Sequence, residues 1–249
     1  MVNIDTVYQN VLALANKEQR GYITPQEFNL FADQAQMEIF EQYFYDLNQW
    51  NRQPGNSSKY GDMLTILNEK IDIFKNFDVQ MNIVAGGVAT LNDLPDFYRI
   101  NMVSVSYANA VAVIAEEQSR GEESVLYSQS PLTVPTRVRP RYVRFDAVGA
   151  QWPGTGLNRI EVTPFPDPIT DNVFVSYIRF PARPRWSYNV IAGKALLNPG
   201  GTTNFELHDS EQGELIHKIL GYAGITIKSP DIATAAMTLE NSKLQQEKQ

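Results

Sequence analysis

The sequence contains no cysteine among its 249 residues, which removes disulfides, thiolate metal sites and cysteine nucleophiles together. This fits assembly in a reducing cytoplasm. Histidine is nearly as scarce: His208 and His217 are the whole supply, so little side-chain chemistry is poised near neutral pH. No run approaches about 18 consecutive apolar residues, so no membrane span is expected. The opening MVNIDTVYQN has neither a basic region nor a long apolar run, so no signal peptide is expected either. The usual catalytic signatures are missing as well. There is no G-x-x-x-x-G-K-[ST] phosphate loop and no G-x-S-x-G nucleophile elbow. Gly154 and Gly156 in WPGTGLN lack a third glycine at dinucleotide-binding spacing, and they read as a loop. Glu214 and His217 stand three apart without an H-E-x-x-H or a third ligand, so His217 reads as a surface or interface side chain. Carboxylates are many, but no pair is marked out for acid–base work. The expectation is a non-enzyme with no catalytic, cofactor-binding or metal-binding residues and no cofactor.

What is present is a core-forming composition, 43% apolar and 11% aromatic, with a formal net charge of −7. That charge argues against a protein coating nucleic acid over its whole surface. The most strongly specified element lies between Gly21 and Trp50. Thr24 is placed as N-cap with Pro25 at the first helical position, and Glu27 completes a capping box. Ile23 and Phe28 occupy the positions of a hydrophobic staple. Phe28, Phe31, Ala32, Ala35, Ile39 and Tyr43 then form one apolar stripe, with Asp33, Gln34, Glu38, Glu41 and Gln42 largely opposite.

Residues 3–18 predict a preceding helix, capped by Asn3 or Asp5 and presenting Val7, Val11, Leu12, Leu14 and Ala15. The turn after it is tight, so the two helices are expected to pack antiparallel. RQPGNSSKYG reads as an exposed loop, and Asp62 to Phe74 as a third helix. The period then changes. Short apolar runs bounded by Gly, Pro and Asn follow, with a hairpin turn at Gly86-Gly87 and a second turn at 91–95. Strands are predicted over 97–107, 141–148, 159–163 and 172–180, while 110–117 fits a strand or a short helix. No helices separate these strands, so an antiparallel sheet or sandwich is expected. Helical spacing returns near Asp209, where Leu215, Ile216, Ile219, Leu220 and Ala223 share a face, and again after Ser229-Pro230. The fold class predicted is α+β: a helical module of residues 1–78, an inserted antiparallel β domain of 79–205, and C-terminal helices of 206–249 packing on the N-terminal module.

The cations are unevenly spread. Arg137, Arg139, Arg141 and Arg144 lie in TRVRPRYVRF, and Arg179, Arg183 and Arg185 in YIRFPARPRW, seven of 21 in two short stretches. An extended chain would point Arg137, Arg139 and Arg141 one way. Three readings fit: a solvated strand edge, salt bridges to a partner, or DNA phosphate contact. Trp50, Trp152, Trp186 and Tyr188 fall at loop-like positions, either as interface aromatics or as ordinary core.

The blocks ITPQEFNLFADQAQMEIFEQY, SYIRFPARPRW and FELHDSEQGELIHKILGYAGITIKSPDI resemble virion structural proteins of tailed bacteriophages. They are most similar to the neck and tail ring (adaptor) proteins of short-tailed phages, including the crAss-like group, and more loosely to the tail tubular protein of T7-like phages. The matching blocks cover about a quarter of the chain and hold core and turn residues, so no functional residues are carried over. The resemblance implies a homo-oligomeric ring, commonly twelvefold, between portal and tail, assembled in the host bacterial cytoplasm. It implies contact with portal and other tail or neck proteins and passage of genomic DNA without sequence-specific contact. No membrane partner is expected. Two rival expectations stand beside it. One is a β-sandwich recognising glycan or a cell surface, with Trp152 and Trp186 exposed. The other is a hydrolase built from distant carboxylates. Within the ring reading, the aromatic surplus from Phe44 to Trp50 is the expected subunit contact.

Overall fold

The computed structural model describes residues 1–17, 23–52, 61–84, 87–107, 112–119, 130–147, 156–164, 173–191, 193–226 and residue 238. Among the described residues the helices of more than one turn are α1 (Ile4–Lys17), α2 (Pro25–Arg52), α3 (Gly61–Asp72) and α4 (Gln212–Thr226). Ten strands are β1 (Lys75–Gln80), β2 (Ile83–Val84), β3 (Val88–Thr90), β4 (Phe97–Val105), β5 (Val113–Gln118), β6 (Arg141–Ala147), β7 (Gly156–Thr163), β8 (Val173–Arg179), β9 (Tyr188–Ile191) and β10 (Lys194–Leu197). The fold is α+β, as the residue patterns predict. It divides into two compact units, one of 1–73 with 181–249 and one of 74–180. The helical unit is thus made from both chain ends, but its limits differ from those read in the sequence. Residues 74–78 belong to the β unit, and 181–205 belong to the helical unit rather than to the insertion.

In the helical unit, local chemistry sets the helix starts. The Asn3 side chain accepts from the backbone N–H groups of Asp5 at 2.8 Å and Thr6 at 3.3 Å. At α2 the Glu27 N–H donates to Thr24 Oγ1 at 3.3 Å, while the Glu27 carboxylate accepts from the Thr24 N–H at 2.9 Å. This is the capping box, and the bonds that the Thr24 N–H and hydroxyl donate to the Glu27 carboxylate hold it below its ordinary pKa. Phe28, Ala32, Ala35, Ile39 and Tyr43 are buried as the stripe requires, together with Phe40. Tyr8 of α1 meets Phe28 edge-on at 4.8 Å, and α4 packs on α1 and α2 through Leu215, Ile216, Ile219, Leu220 and Ala223. The α1 face differs from the prediction at two residues: Leu14 is exposed and Leu12 only partly buried, and Ile4 and Tyr8 complete the buried face. The predicted helix after Ser229-Pro230 lies outside the described residues.

The β unit carries an eight-stranded sheet in the order β1-β8-β4-β5-β6-β7-β3-β2. Its pairs are antiparallel except one. β5 pairs antiparallel with β4 through Val113–Ala115, then parallel with β6 through Glu116–Gln118. The sheet is therefore mixed, against the antiparallel expectation. The long 119–140 connection makes this possible, since a parallel pair cannot be closed by a tight turn. β8 lies between β1 and β4 and is buried continuously from Val175 to Ile178, so its alternating sequence does not make a one-faced strand. The unit's core gathers Leu91, Val103, Val105, Tyr142, Ile160, Val162, Val173 and Tyr177. β2 and β3 form the hairpin expected at the double glycine, with Gly87 at φ +81°, a conformation glycine adopts without strain. At the open edge, β1 is interrupted by a bulge between Asn76 and Val79, with Asp78 at φ +50°, which blunts it against a further strand.

Candidate interaction surfaces

The segment 181–186 departs furthest from the sequence reading. PARPRW carries the signs of a surface loop, yet Trp186 is only 2% exposed and is the largest fully buried side chain among the described residues. Its ring lies 4.1 Å from that of Tyr8 and 5.7 Å from that of Tyr188. The indole N–H donates to the Asp5 carboxylate at 2.9 Å. Asn29 of α2 reads the Trp186 backbone from both sides: its carbonyl accepts from the Trp186 N–H at 2.8 Å and its amide donates to the Trp186 C=O at 3.1 Å. Gln36, fully buried, repeats the device. It donates to the Ala182 carbonyl at 2.8 Å and accepts from the Glu206 N–H at 3.1 Å. Apart from the Arg185–Thr203 bridge, side chains bind this segment's backbone in place of a ladder. Trp186 is consequently withdrawn from any glycan-stacking face, while Trp152 lies outside the described residues. Trp50 is not in a loop; it sits in the last turns of α2.

Beyond this anchor the chain runs into the β9–β10 hairpin, whose register pairs Tyr188 with Leu197, Asn189 with Leu196, Val190 with Ala195 and Ile191 with Lys194. Its base is closed by the Asn198 N–H donating to the Ser187 carbonyl at 2.8 Å and by the Arg185–Thr203 bridge. Its turn uses Gly193 at φ +75°. The strands themselves are open on both faces: Val190 is 66% exposed, Ile191 60% and Leu196 50%. A two-stranded hairpin of this kind is marginal alone. The exposed side of α2 is a second open surface, where Leu30 is 71% and Tyr45 59% exposed, with Glu38 and Glu41 between them. Phe44 packs on Phe40 at 5.0 Å and Tyr43 lies under the Lys70 ammonium at 5.5 Å. Of the aromatic surplus expected from Phe44 to Trp50, Phe44 is thus used internally, while Tyr45 stays exposed.

The arginine stretches split. Thr136 and Arg139 exchange backbone hydrogen bonds at 3.0 and 3.3 Å, so Arg137 and Val138 occupy the tip of a reverse turn. The shared direction expected of Arg137, Arg139 and Arg141 therefore does not arise for Arg137, which lies 5.8 Å from the Tyr107 ring. Arg139 and Arg141 both approach Glu116, at 3.5 and 3.9 Å. Leu132 and Val138 are strongly exposed. In the helical unit, Arg183 reaches Asp33 at 3.9 Å from an exposed position, a geometry worth little energy.

A buried polar cluster in the helical unit escaped the sequence reading. Lys218 donates to Glu38 at 3.0 Å and lies 3.9 Å from Glu214. Tyr222 donates to the other Glu38 oxygen, and Lys70 pairs with buried Glu211. Burial pushes the Glu38 carboxyl up, but hydrogen bonds from Tyr222 and Lys218 and the Lys218 charge prevail, leaving its pKa below the ordinary value. The signal was available: Glu211, Glu214 and Lys218 fall at three- and four-residue spacing on one helical side. Among the described residues, no group of three or more His, Asp or Glu is placed to hold a metal ion, and no helix is long and apolar enough to cross a membrane. His208 serves as a cap, its Nδ1 accepting from the Ser210 N–H at 3.2 Å, and His217 is partly exposed on α4.

No protein-family model matches the chain, and no curated protein matches it significantly.

Proposed function

We propose that the protein is a virion structural component that closes into a homo-oligomeric ring at the portal–tail junction of a tailed phage and leaves a passage for DNA. The observation that carries this reading is the chain's layout: a helical unit built from both chain ends, with a β unit inserted through 74–180. The resemblance of the blocks Ile23–Tyr43, Ser176–Trp186 and Phe205–Ile232 to neck and tail ring proteins implies a helical module that carries the ring and a β insertion that reaches along the axis or outward, and this layout agrees with it. The apolar side chains left open on α2 and on the β9–β10 hairpin give support, since a ring subunit needs two dissimilar contact surfaces. A net charge of −7 suits a conduit, because like charge discourages DNA from adhering to its wall. The reading assigns no catalysis and no cofactor. Portal and neighbouring tail proteins are its partners, and the virion is its final location.

Electron microscopy of the purified protein, alone and mixed with its portal, tests this. Closed rings, or a ring seated on the portal, are expected. A protein that stays monomeric in both settings and is absent from purified virions refutes the reading.

A further inference from the structure

We draw no further inference here: the strongest candidate, the apolar face that Val190 and Leu197 present on the β9–β10 hairpin, carries nothing, because nothing in the structure shows what covers it.

Discussion

Replacing Trp186 by Ala tests whether PARPRW is core or surface. The side chain is 2% exposed, stacked between Tyr8 and Tyr188, and its N–H is bound by Asp5. Truncating a buried tryptophan costs about 3–5 kcal/mol through lost burial and the cavity left behind. Two aromatic contacts and a hydrogen bond to a carboxylate push the value toward the upper part of that range, and about 4 kcal/mol is expected. Urea unfolding should be followed by circular dichroism at the helical minimum rather than by tryptophan fluorescence, since the substitution removes a fluorophore. The four helices among the described residues belong to the unit that contains residue 186, so this signal reports on the unit affected. With a slope of roughly 2 kcal/mol per molar urea, the midpoint should fall by about 2 M. Trp186→Phe keeps the ring packing and loses the donor, so a fall of about half that size is expected. A midpoint that moves less than about 0.5 M for Trp186→Ala, at unchanged slope, refutes the placement of this segment in the core.

Two further predictions concern pH, and one concerns a buried amide. Glu38 has a folded pKa below the ordinary 4.5, so its contribution to stability is present above that value and lost as pH falls through the folded pKa. Acid unfolding of Glu38→Gln should therefore be flatter below pH 4.5 than that of the parent, and identical acid limbs would refute the assignment. Burial of Tyr142, reinforced by Glu117, raises its phenol from 10.0 to about 12. Its share of stability is held below pH 10 and lost between there and 12, amounting to no more than about 2 kcal/mol. The difference between parent and Tyr142→Phe in alkaline denaturation reads it, and parallel curves would refute it. Gln36→Leu leaves the Ala182 carbonyl and the Glu206 N–H without their side-chain partner. It should cost about 2–3 kcal/mol by urea midpoint, and a neutral substitution would show that water replaces the amide.

The legible parts of the fold are those whose causes are close in sequence. Thr24 and Glu27 are three residues apart, and their capping box is where the sequence places it. The stripe from Phe28 to Tyr43 follows from a 3.6-residue period, and Leu215 to Ala223 likewise. What the sequence hides is partnership over distance. Whether β5 runs parallel or antiparallel to β6 depends on the path of the chain between them, and no local pattern in Val113–Gln118 encodes it. The buried ions are a different case. Glu211, Glu214 and Lys218 look like the polar face of an amphipathic helix until α2 is laid against them and Glu38 meets Lys218. Gln36 stands between Ala35 and Ile39 inside the apolar stripe, which was a usable sign of burial.

The misplaced boundary at 181–205 follows from the same limitation and bears on function. Prolines and arginines made PARPRW read as a loop in the β region, because their local propensities are those of exposed connections. Its true partners, Asn29 and Asp5, lie 157 and 181 positions away. Once they are placed, the segment has two halves of opposite character. The first is fixed to the helical unit through a buried indole and paired amide hydrogen bonds. The second, from Asn189 to Leu197, is held out with aliphatic side chains in water. Stability alone does not account for the second half, since those aliphatic side chains gain little by remaining exposed. A fixed base under an open apolar hairpin is what a docking element requires, because the ordering is complete before the partner arrives. The segment that the sequence assigned to the β domain is therefore fixed to the helical unit at its base and left open at its tip, a division that no local pattern in its residues encodes.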